Sequence, residues 1–307
     1  MIDSLTHSPT FAIYGRTGSQ TILPYVSALI NELRDAGIGI LIYQPLASFM
    51  KQNGVPVSGA STFSTHDELD GKANFLFSLG GDGTLLDTIT LVRDHGIPIV
   101  GINTGRLGFL ASISKDRLKD CVESLLQGRY DLDRRSLIRL ETPIPLFGQV
   151  NYALNEITIH KKDSSSMIII HTYLNGEYLN SYWADGLIIS TPTGSTAYAL
   201  SGGGPILHPS MDAIALVPMH PHTLSSRPIV VGGHSEVKIT IRENRVLPMV
   251  SADGQHSVSL NVGDSLHIRK HPFKLSLLHP PGYDFYMACR TKLGWNQDFE
   301  SFQRDES

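Results

Sequence analysis

Apolar positions in the first part of the chain recur in two alternating rhythms. Short unbroken runs at 11–14, 38–43, 73–79 and 97–101 read as buried strands. Between them the spacing becomes helical. Ile22, Val26, Leu29, Ile30 and Leu33 mark a helix over 22–36, with Pro24 in its first turn and Gly37 as its stop. Helices are also predicted at 85–95 and at 115–127, the latter through Leu118, Val122, Leu125 and Leu126 with Gly128 at its end. Residues 44–72 are polar and poorly periodic and read as loop with some short helix. Strands alternating with helices predict βαβ units and a Rossmann-like parallel sheet, an α/β N-terminal domain.

The rhythm changes after about Tyr130. Runs at 150–160, 167–174 and 177–183 are rich in β-branched and aromatic residues, and Asn175-Gly176 is the strongest hairpin signal in the chain. Further strands are predicted at 187–190, 213–218, 237–242, 246–251, 257–260, 265–269 and 273–278, with turns at Gly232-Gly233, Asp253-Gly254 and Gly263-Asp264. This is an all-β C-terminal domain, read as a sandwich of stacked sheets. The predicted division is 1–140 for the α/β domain, 141–278 for the β-rich domain, and 279–307 as a segment packing back on the first. A crevice between the domains is a natural ligand site.

The 307 residues suit about two domains, and 41% hydrophobic with 18% charged residues argues against a disordered chain. Lys+Arg minus Asp+Glu is 25 − 29 = −4 with no basic tract, which gives no electrostatic case for nucleic acid or an anionic membrane surface. Two cysteines, Cys121 and Cys289, exclude a disulfide framework and a four-cysteine zinc site. The opening MIDSLTHSPT has neither a basic nor an apolar stretch of a signal peptide, and no apolar run is long enough to span a membrane. A cytoplasmic protein is the expectation.

Four stretches concentrate chemistry. Gly80-Gly81-Asp82-Gly83-Thr84 lies between a predicted strand and a predicted helix. Glycines let backbone approach a ligand, and a helix N-terminus offers N–H groups and a positive dipole end to phosphate. A carboxylate repels phosphate, so Asp82 makes sense as proton acceptor for a hydroxyl being phosphorylated, or as a ligand for a metal ion that neutralises the phosphates. A tight turn with Asp82 as N-cap is the plainer alternative. Its placement at a strand's C-terminal end favours a site.

Asn103-Thr104-Gly105-Arg106-Leu107-Gly108-Phe109-Leu110 follows the next strand and would line the same crevice, with Phe109 packing a ring or, like Leu107 and Leu110, the core. Asn155-Glu156 pairs an amide with a carboxylate, a set that reads sugar hydroxyls or an exocyclic amine, unless it is merely an exposed strand position. Residues 184–205 are mostly hydroxyls and glycines, with Asp185 placed to accept from a ligand and Tyr198 to stack on a ring. His220-Pro221-His222 matches no zinc spacing, and Ser195 is no nucleophile elbow, because Ala197 stands where that motif needs glycine.

These motifs in this order, 80–84, then Asn155-Glu156, then Asp185-Gly186 with Thr191-Pro192-Thr193-Gly194-Ser195-Thr196-Ala197-Tyr198, resemble the NAD kinases, which phosphorylate the 2′-hydroxyl of the adenosine ribose of NAD to give NADP. The resemblance extends through Thr291-Lys292-Leu293-Gly294-Trp295, nearly the whole chain. The first motif is shared with diacylglycerol and sphingosine kinases and with 6-phosphofructokinases; the 191–198 stretch is far more specific. The resemblance implies Asp82 as proton acceptor with Gly83 beside it on the substrate, and Gly80, Gly81, Gly83 and Thr84 as the phosphate loop. It implies Asn155 and Glu156 as NAD contacts, and Asp185 on the nicotinamide side, often from a neighbouring subunit. Phe109, Thr193, Thr196, Ala197, Tyr198, Ser201 and Gln255 complete the implied surroundings of the dinucleotide. ATP as donor, Mg²⁺ or another divalent cation, and a homo-oligomer, foremost a tetramer, follow from the same resemblance. Ser166 and Trp183 stand where many members carry a basic residue. The alternatives are a lipid kinase of the diacylglycerol or sphingosine type and a dinucleotide sensor without turnover.

Overall fold

The structure, a computed structural model, describes residues 9–105, 108–143, 145–162, 166–242 and 248–295. The chain divides into two compact units, one holding residues up to Asp133 together with those from Leu275 on, the other Arg134–Lys274.

The first unit is built from β1 (Thr10–Gly15), α1 (Leu23–Asp35), β2 (Gly39–Tyr43), α2 (Gln44–Gln52), β3 (Ser61–Phe63), β4 (Phe75–Gly80), α3 (Asp82–Val92), β5 (Ile99–Asn103), β6 (Ile113–Ser114) and α4 (Leu118–Leu126). The strands pair in the order β3-β2-β1-β4-β5, and every pairing is parallel; residues 277–278 and β6 also join β5 in parallel. Strands covered on both faces are largely apolar, and 75–79 and 99–103 are buried at every position, Ser78 and Asn103 included. α1 buries Leu23, Val26, Leu29, Ile30 and Leu33 against this sheet, and α4 buries Leu118, Cys121, Val122 and Leu125.

Two elements depart from the sequence reading: strand β3, in the stretch 44–72 read as loop with some short helix, and the start of α3. The short helix of that stretch is α2, whose Leu46, Ala47 and Met50 form a stripe just wide enough to pack on the core. α3 starts at Asp82 rather than Leu85, since Gly81 takes the extended conformation of an N-cap and Asp82-Gly83-Thr84 becomes the first helical turn. Only one residue separates the end of β4 from the start of α3.

The second unit contains β7 (Asp131–Glu141, entering from the first unit), β8 (Tyr152–Ala153), β9 (Glu156–Lys161), β10 (Ile168–Leu174), β11 (Glu177–Ala184), β12 (Gly186–Ser190), α5 (Tyr198–Ser201), β13 (Ala213–Met219), β14 (Ile229–Gly232), β15 (Val237–Thr240), β16 (Pro248–Ala252), β17 (His256–Ser259) and most of β18 (Ser265–His279). One antiparallel sheet runs β14-β13-β12-β9-β16-β17, and β11-β10-β15-β18 form another, with β7 beside β18 and β8 beside β7. Ile157, Ile159, Leu187, Leu216 and Val250 from the first layer share a core with Ile168, Ile170, Val237, Ile239 and Ile268 from the second. The unit is therefore a two-layer sandwich.

The 150–160 run is not one strand: it breaks at Leu154-Asn155. The two runs at 265–269 and 273–278 are a single strand, β18. β14, half exposed and only four residues long, carries too weak a pattern to be read from sequence. The last helix, α6 (Phe285–Leu293), belongs to the first unit and is capped by the Asp284 carboxylate, which accepts from Tyr286 N and Met287 N. Among the described residues no helix is long and apolar enough to cross a membrane.

Asn175 opens the β10–β11 hairpin at φ 51° and also ties it to the segment before β15: its N–H donates to Glu236 O (2.9 Å) and its Oδ1 accepts from Glu236 N (2.9 Å). Asn175→Ala keeps the first bond, loses the second and puts at a left-handed position a residue that tolerates it less well than asparagine. Urea unfolding should show a loss of about 1–3 kcal/mol.

Candidate functional site

In the first unit the site is organised around Asp82. Its Oδ2 accepts from Phe109 N (2.9 Å), and its Oδ1 accepts from Leu110 N (3.0 Å) and Ala111 N (2.9 Å). Three successive amides thus converge on one carboxylate, which also gains from the N-terminal dipole of α3. Gly108 makes room for this approach, because a Cβ there would overlap the Asp82 carboxylate. A carboxylate offers about four lone-pair directions. Among the described residues three are taken, and the remaining one is on Oδ2.

Gly80 ends β4, Gly81 caps α3, and Gly83 and Thr84 lie in its first turn. Arg16, at the end of the neighbouring strand β1, was not singled out from the sequence. Its Nη2 donates to Gly83 O (3.1 Å) and its guanidinium pairs with Asp87 (2.5 and 2.8 Å), yet its side chain stays 56% exposed. The legible signal was an arginine at the C-terminal end of a parallel strand. Tyr14 also donates to Asp87 (3.0 Å); burial first, and then the Asp87 charge, push its phenol well above the usual range.

Phe109 is half-buried, 6.4 Å from the Phe285 ring and under the Lys292 ammonium (5.3 Å), whereas Leu110 is in the core. Arg106 and Leu107 lie outside the described residues.

A second cluster forms in the other unit. Asn155 and Glu156 are buried, which sets aside the alternative of an exposed strand position. Asp253 holds their backbone: Oδ2 accepts from Leu154 N (2.8 Å), and Oδ1 accepts from Asn155 N (2.8 Å) and Glu156 N (3.1 Å). The sequence reading treated Asp253 only as a turn residue. Its left-handed φ of 48° was foreshadowed by Asp-Gly, but its partners lie about a hundred residues away. Burial raises its pKa to about 6, against the lowering by the three N–H groups. Glu156 is pushed up to about 8, mainly by burial and next by the Asp253 charge, opposed by the Tyr198 N–H. Its buried Oε2 accepts no hydrogen bond among the described residues.

The 191–198 stretch wraps this pair. Thr191 N donates to Asn155 O (2.9 Å), and Thr191 Oγ1 donates to Leu154 O (2.5 Å). Gly194 passes so close that a Cβ would overlap Asn155 O. Ser195 is fully buried, donating to Pro192 O (2.6 Å) and accepting from Leu207 N (2.9 Å), so it is a structural hydroxyl. Thr193 Oγ1 accepts from buried Arg135 (3.3 Å), and Thr196 donates to Thr193 O (3.2 Å). Ala197 is half-buried; Tyr198 and Ser201 of α5 are exposed. Gln255 follows Asp253 in the same turn, its N–H donating to Ala252 O (3.0 Å).

Asp185 is not brought to this cluster. The whole of β12 separates it from Ser190, which pairs with Glu156, a span of roughly 16 Å. It pairs instead with Lys161 (2.6 Å) and His220 (3.4 Å). Trp183 stacks on His222 (4.3 Å), and Ser166 precedes β10. Among the described residues neither His220 nor His222 gathers metal ligands. Among the described residues the group that does is His66, Asp94 and His95, with ligand atoms within 4.8 Å, beyond the opposite end of α3 from Asp82.

Residues 14–130 match the family model of the ATP-NAD kinase N-terminal domain, and residues 154–279 that of the ATP-NAD kinase C-terminal domain. The chain is 52% identical over 297 residues to the NAD kinase of Acinetobacter baylyi, covering 96% of this chain and 94% of that protein. Its fold is shared with yeast NADH kinase complexed with NADH (TM-score 0.84, 24% identity, 94% of this chain and 88% of that chain). It is also shared with an NAD kinase from Archaeoglobus fulgidus in complex with ATP (TM-score 0.70, 24% identity, 89% of this chain and 94% of that chain).

A carboxyl whose folded pKa is raised binds its proton more tightly in the folded state. Its stabilisation is complete below the ordinary pKa of 4.5 and is lost as pH climbs through about 8 for Glu156. Asp253 acts in the same direction between 3.8 and about 6. Between pH 6 and 8 the loss assignable to carboxyl groups is therefore that of Glu156. Calorimetry should show the wild-type Tm falling relative to Glu156→Gln by several degrees across that window.

Proposed function

The chain belongs to the NAD kinase family, and on that premise we propose that this kinase, which phosphorylates NAD with ATP, delivers the phosphoryl group to the 2′-hydroxyl of the adenosine ribose, giving NADP. The observation that carries the choice of residues is the Asp82 carboxylate, immobilised by three amides with one acceptor direction to spare. That direction receives the ribose hydroxyl hydrogen. As the oxygen bonds to the γ-phosphorus, the bond to ADP breaks and the proton passes to Asp82. Phosphoryl transfer of this loose kind asks the protein mainly to position groups and balance charge.

The loop 80–84 lies at the start of α3 with Arg16 beside it, a backbone and a positive charge suited to the triphosphate. A divalent cation accompanies ATP and neutralises charge between the phosphates. Asp87 is committed to Arg16 and Tyr14, and the open direction of Asp82 to the ribose hydroxyl, so the ion would be held chiefly by phosphate oxygens and water. Mg²⁺ fits such a sparse set, since it keeps waters and rides on phosphate oxygens.

NAD is held by Asn155, Glu156, Thr193, Thr196, Ala197, Tyr198, Ser201 and Gln255 of the second unit, while Phe109 lies beside Asp82 in the first. The buried Glu156 Oε2 takes a donor from the dinucleotide, and the exposed Tyr198 ring offers a stacking face. The length of β12 keeps Asp185 away from this cluster, which supports a role in a neighbouring copy's site and hence a homo-oligomer. A cytoplasmic location agrees with a substrate pair of soluble nucleotides. A lipid kinase and a sensor without turnover find no support in the comparisons.

The test is a coupled assay of NADP formation from NAD and ATP. Asp82→Asn keeps an oxygen for Leu110 and Ala111 and loses the Phe109 bond, so its Tm is read beside its turnover. Its kcat should fall about 10²–10⁴-fold. Undiminished turnover would remove Asp82 from the reaction.

A further inference from the structure

We propose that His279, with Tyr283 stacked on it, is a positioning residue for NAD phosphorylation: it braces the strap 108–112, whose amides fix the Asp82 carboxylate. The inference rests on the assignment of Asp82 made above.

The place of the Asp82 charge is decided by where the 109–111 amides are, and those amides belong to a strap that is neither helix nor strand. Irregular backbone does not hold a carboxylate to a fraction of an ångström unless something holds the backbone. The C-terminal segment of the same unit does so. Ser112 Oγ lies 2.9 Å from His279 Nδ1, one residue beyond the last amide on Asp82. The Tyr283 hydroxyl donates to Phe109 O at 3.5 Å, and its ring lies flat on the imidazole, with centroids 3.7 Å apart and an interplanar angle of 5°. Phe285 and Lys292 meet the Phe109 ring from α6. The strap is thus gripped at both ends by residues about 170 positions later in the chain.

His279 is itself oriented. It is 1% exposed, and its Nε2 lies 3.5 Å from Asp133 Oδ2 without making a hydrogen bond to it. The Ser112 hydroxyl at Nδ1 and the Tyr283 ring stacked on the imidazole are what orient it. Ser112, His279 and Asp133 therefore have the composition of a hydrolase triad but not its arrangement. The serine meets Nδ1 rather than Nε2 and the imidazole is buried, so the set works as a brace and not as a nucleophile.

The experiment compares wild type, Asp82→Asn, Ser112→Ala, His279→Ala, His279→Asn and the Ser112→Ala/His279→Ala double variant by steady-state assay with NAD and ATP, with Tm read on each. Misplacement of a reacting group by about 1 Å costs up to roughly 10²-fold, so kcat of Ser112→Ala and His279→Ala should fall roughly 10- to 100-fold. KM for both substrates should stay within about threefold, because the brace touches neither. The double variant should be no slower than the slower single, since both remove one hydrogen bond. His279→Asn, whose amide reaches the place of Nδ1, should recover most of the lost kcat. A folded Ser112→Ala with kcat within about twofold of wild type, or a double variant whose losses multiply, would overturn the proposal. If His279→Ala does not fold, Ser112→Ala, which removes one oxygen, decides alone. Wild type that makes no NADP would refute the functional reading itself. Wild-type turnover lost in Asp82→Asn but intact in Ser112→Ala would refute the brace alone.

Discussion

A carboxylate that accepts three backbone N–H groups cannot turn without breaking all of them, and Asp82 is held this way by Phe109, Leu110 and Ala111. The rest of the first unit's site follows from that contact. Gly108 lacks a side chain because the carboxylate occupies its space, and α3 begins at Asp82 because Gly81 caps it. The parallel sheet brings the end of β5, from which the strap departs, beside the end of β4: Gly80 pairs with Asn103. A fixed charge with one unfilled acceptor direction is the arrangement a hydroxyl needs while a phosphoryl group arrives.

The second unit solves a similar problem in the same way. Asp253 accepts from Leu154, Asn155 and Glu156, again three successive amides, and so sets the start of β9. The consequence differs. Asp253 lies close to Glu156, and two carboxyl groups in one poorly solvated place favour a retained proton, so Glu156 titrates near 8. A neutral carboxyl can both donate and accept, which suits the hydroxyl and amine groups of a nucleoside better than an acceptor alone.

The hydroxyl-rich stretch 190–196 is for the most part internal joinery. Ser190, Thr191 and Ser195 hold the backbone of Leu154, Asn155, Pro192 and Leu207, and none of the three reaches solvent. What they hold in place is the outward part, the Tyr198–Ser201 turn and the buried Glu156 acceptor below it. Composition alone could not separate a hydroxyl that faces a ligand from one that ties two loops together, because both uses call for the same residue types.

Much was legible in the amino-acid order. The alternation of buried runs with helical stripes determined a parallel α/β unit, the β-branched runs with Asn175-Gly176 determined an antiparallel unit, and the motifs at 80–84, 155–156 and 191–198 marked the residues of the family. Those are local properties, set by side-chain periodicity and turn chemistry within a few residues. The bounds of the short helix at 44–52 and the strands β3 and β14 escaped because short stripes carry little periodicity. Tertiary structure alone decided the partners of the two aspartates, the separation of Asp185 from the loop that follows it, and the grip of His279 and Tyr283 on the strap. Each is a contact, or a distance, between residues whose relation depends on how strands line up. A hydrogen bond across tens to nearly two hundred positions leaves no mark in the spacing of either partner.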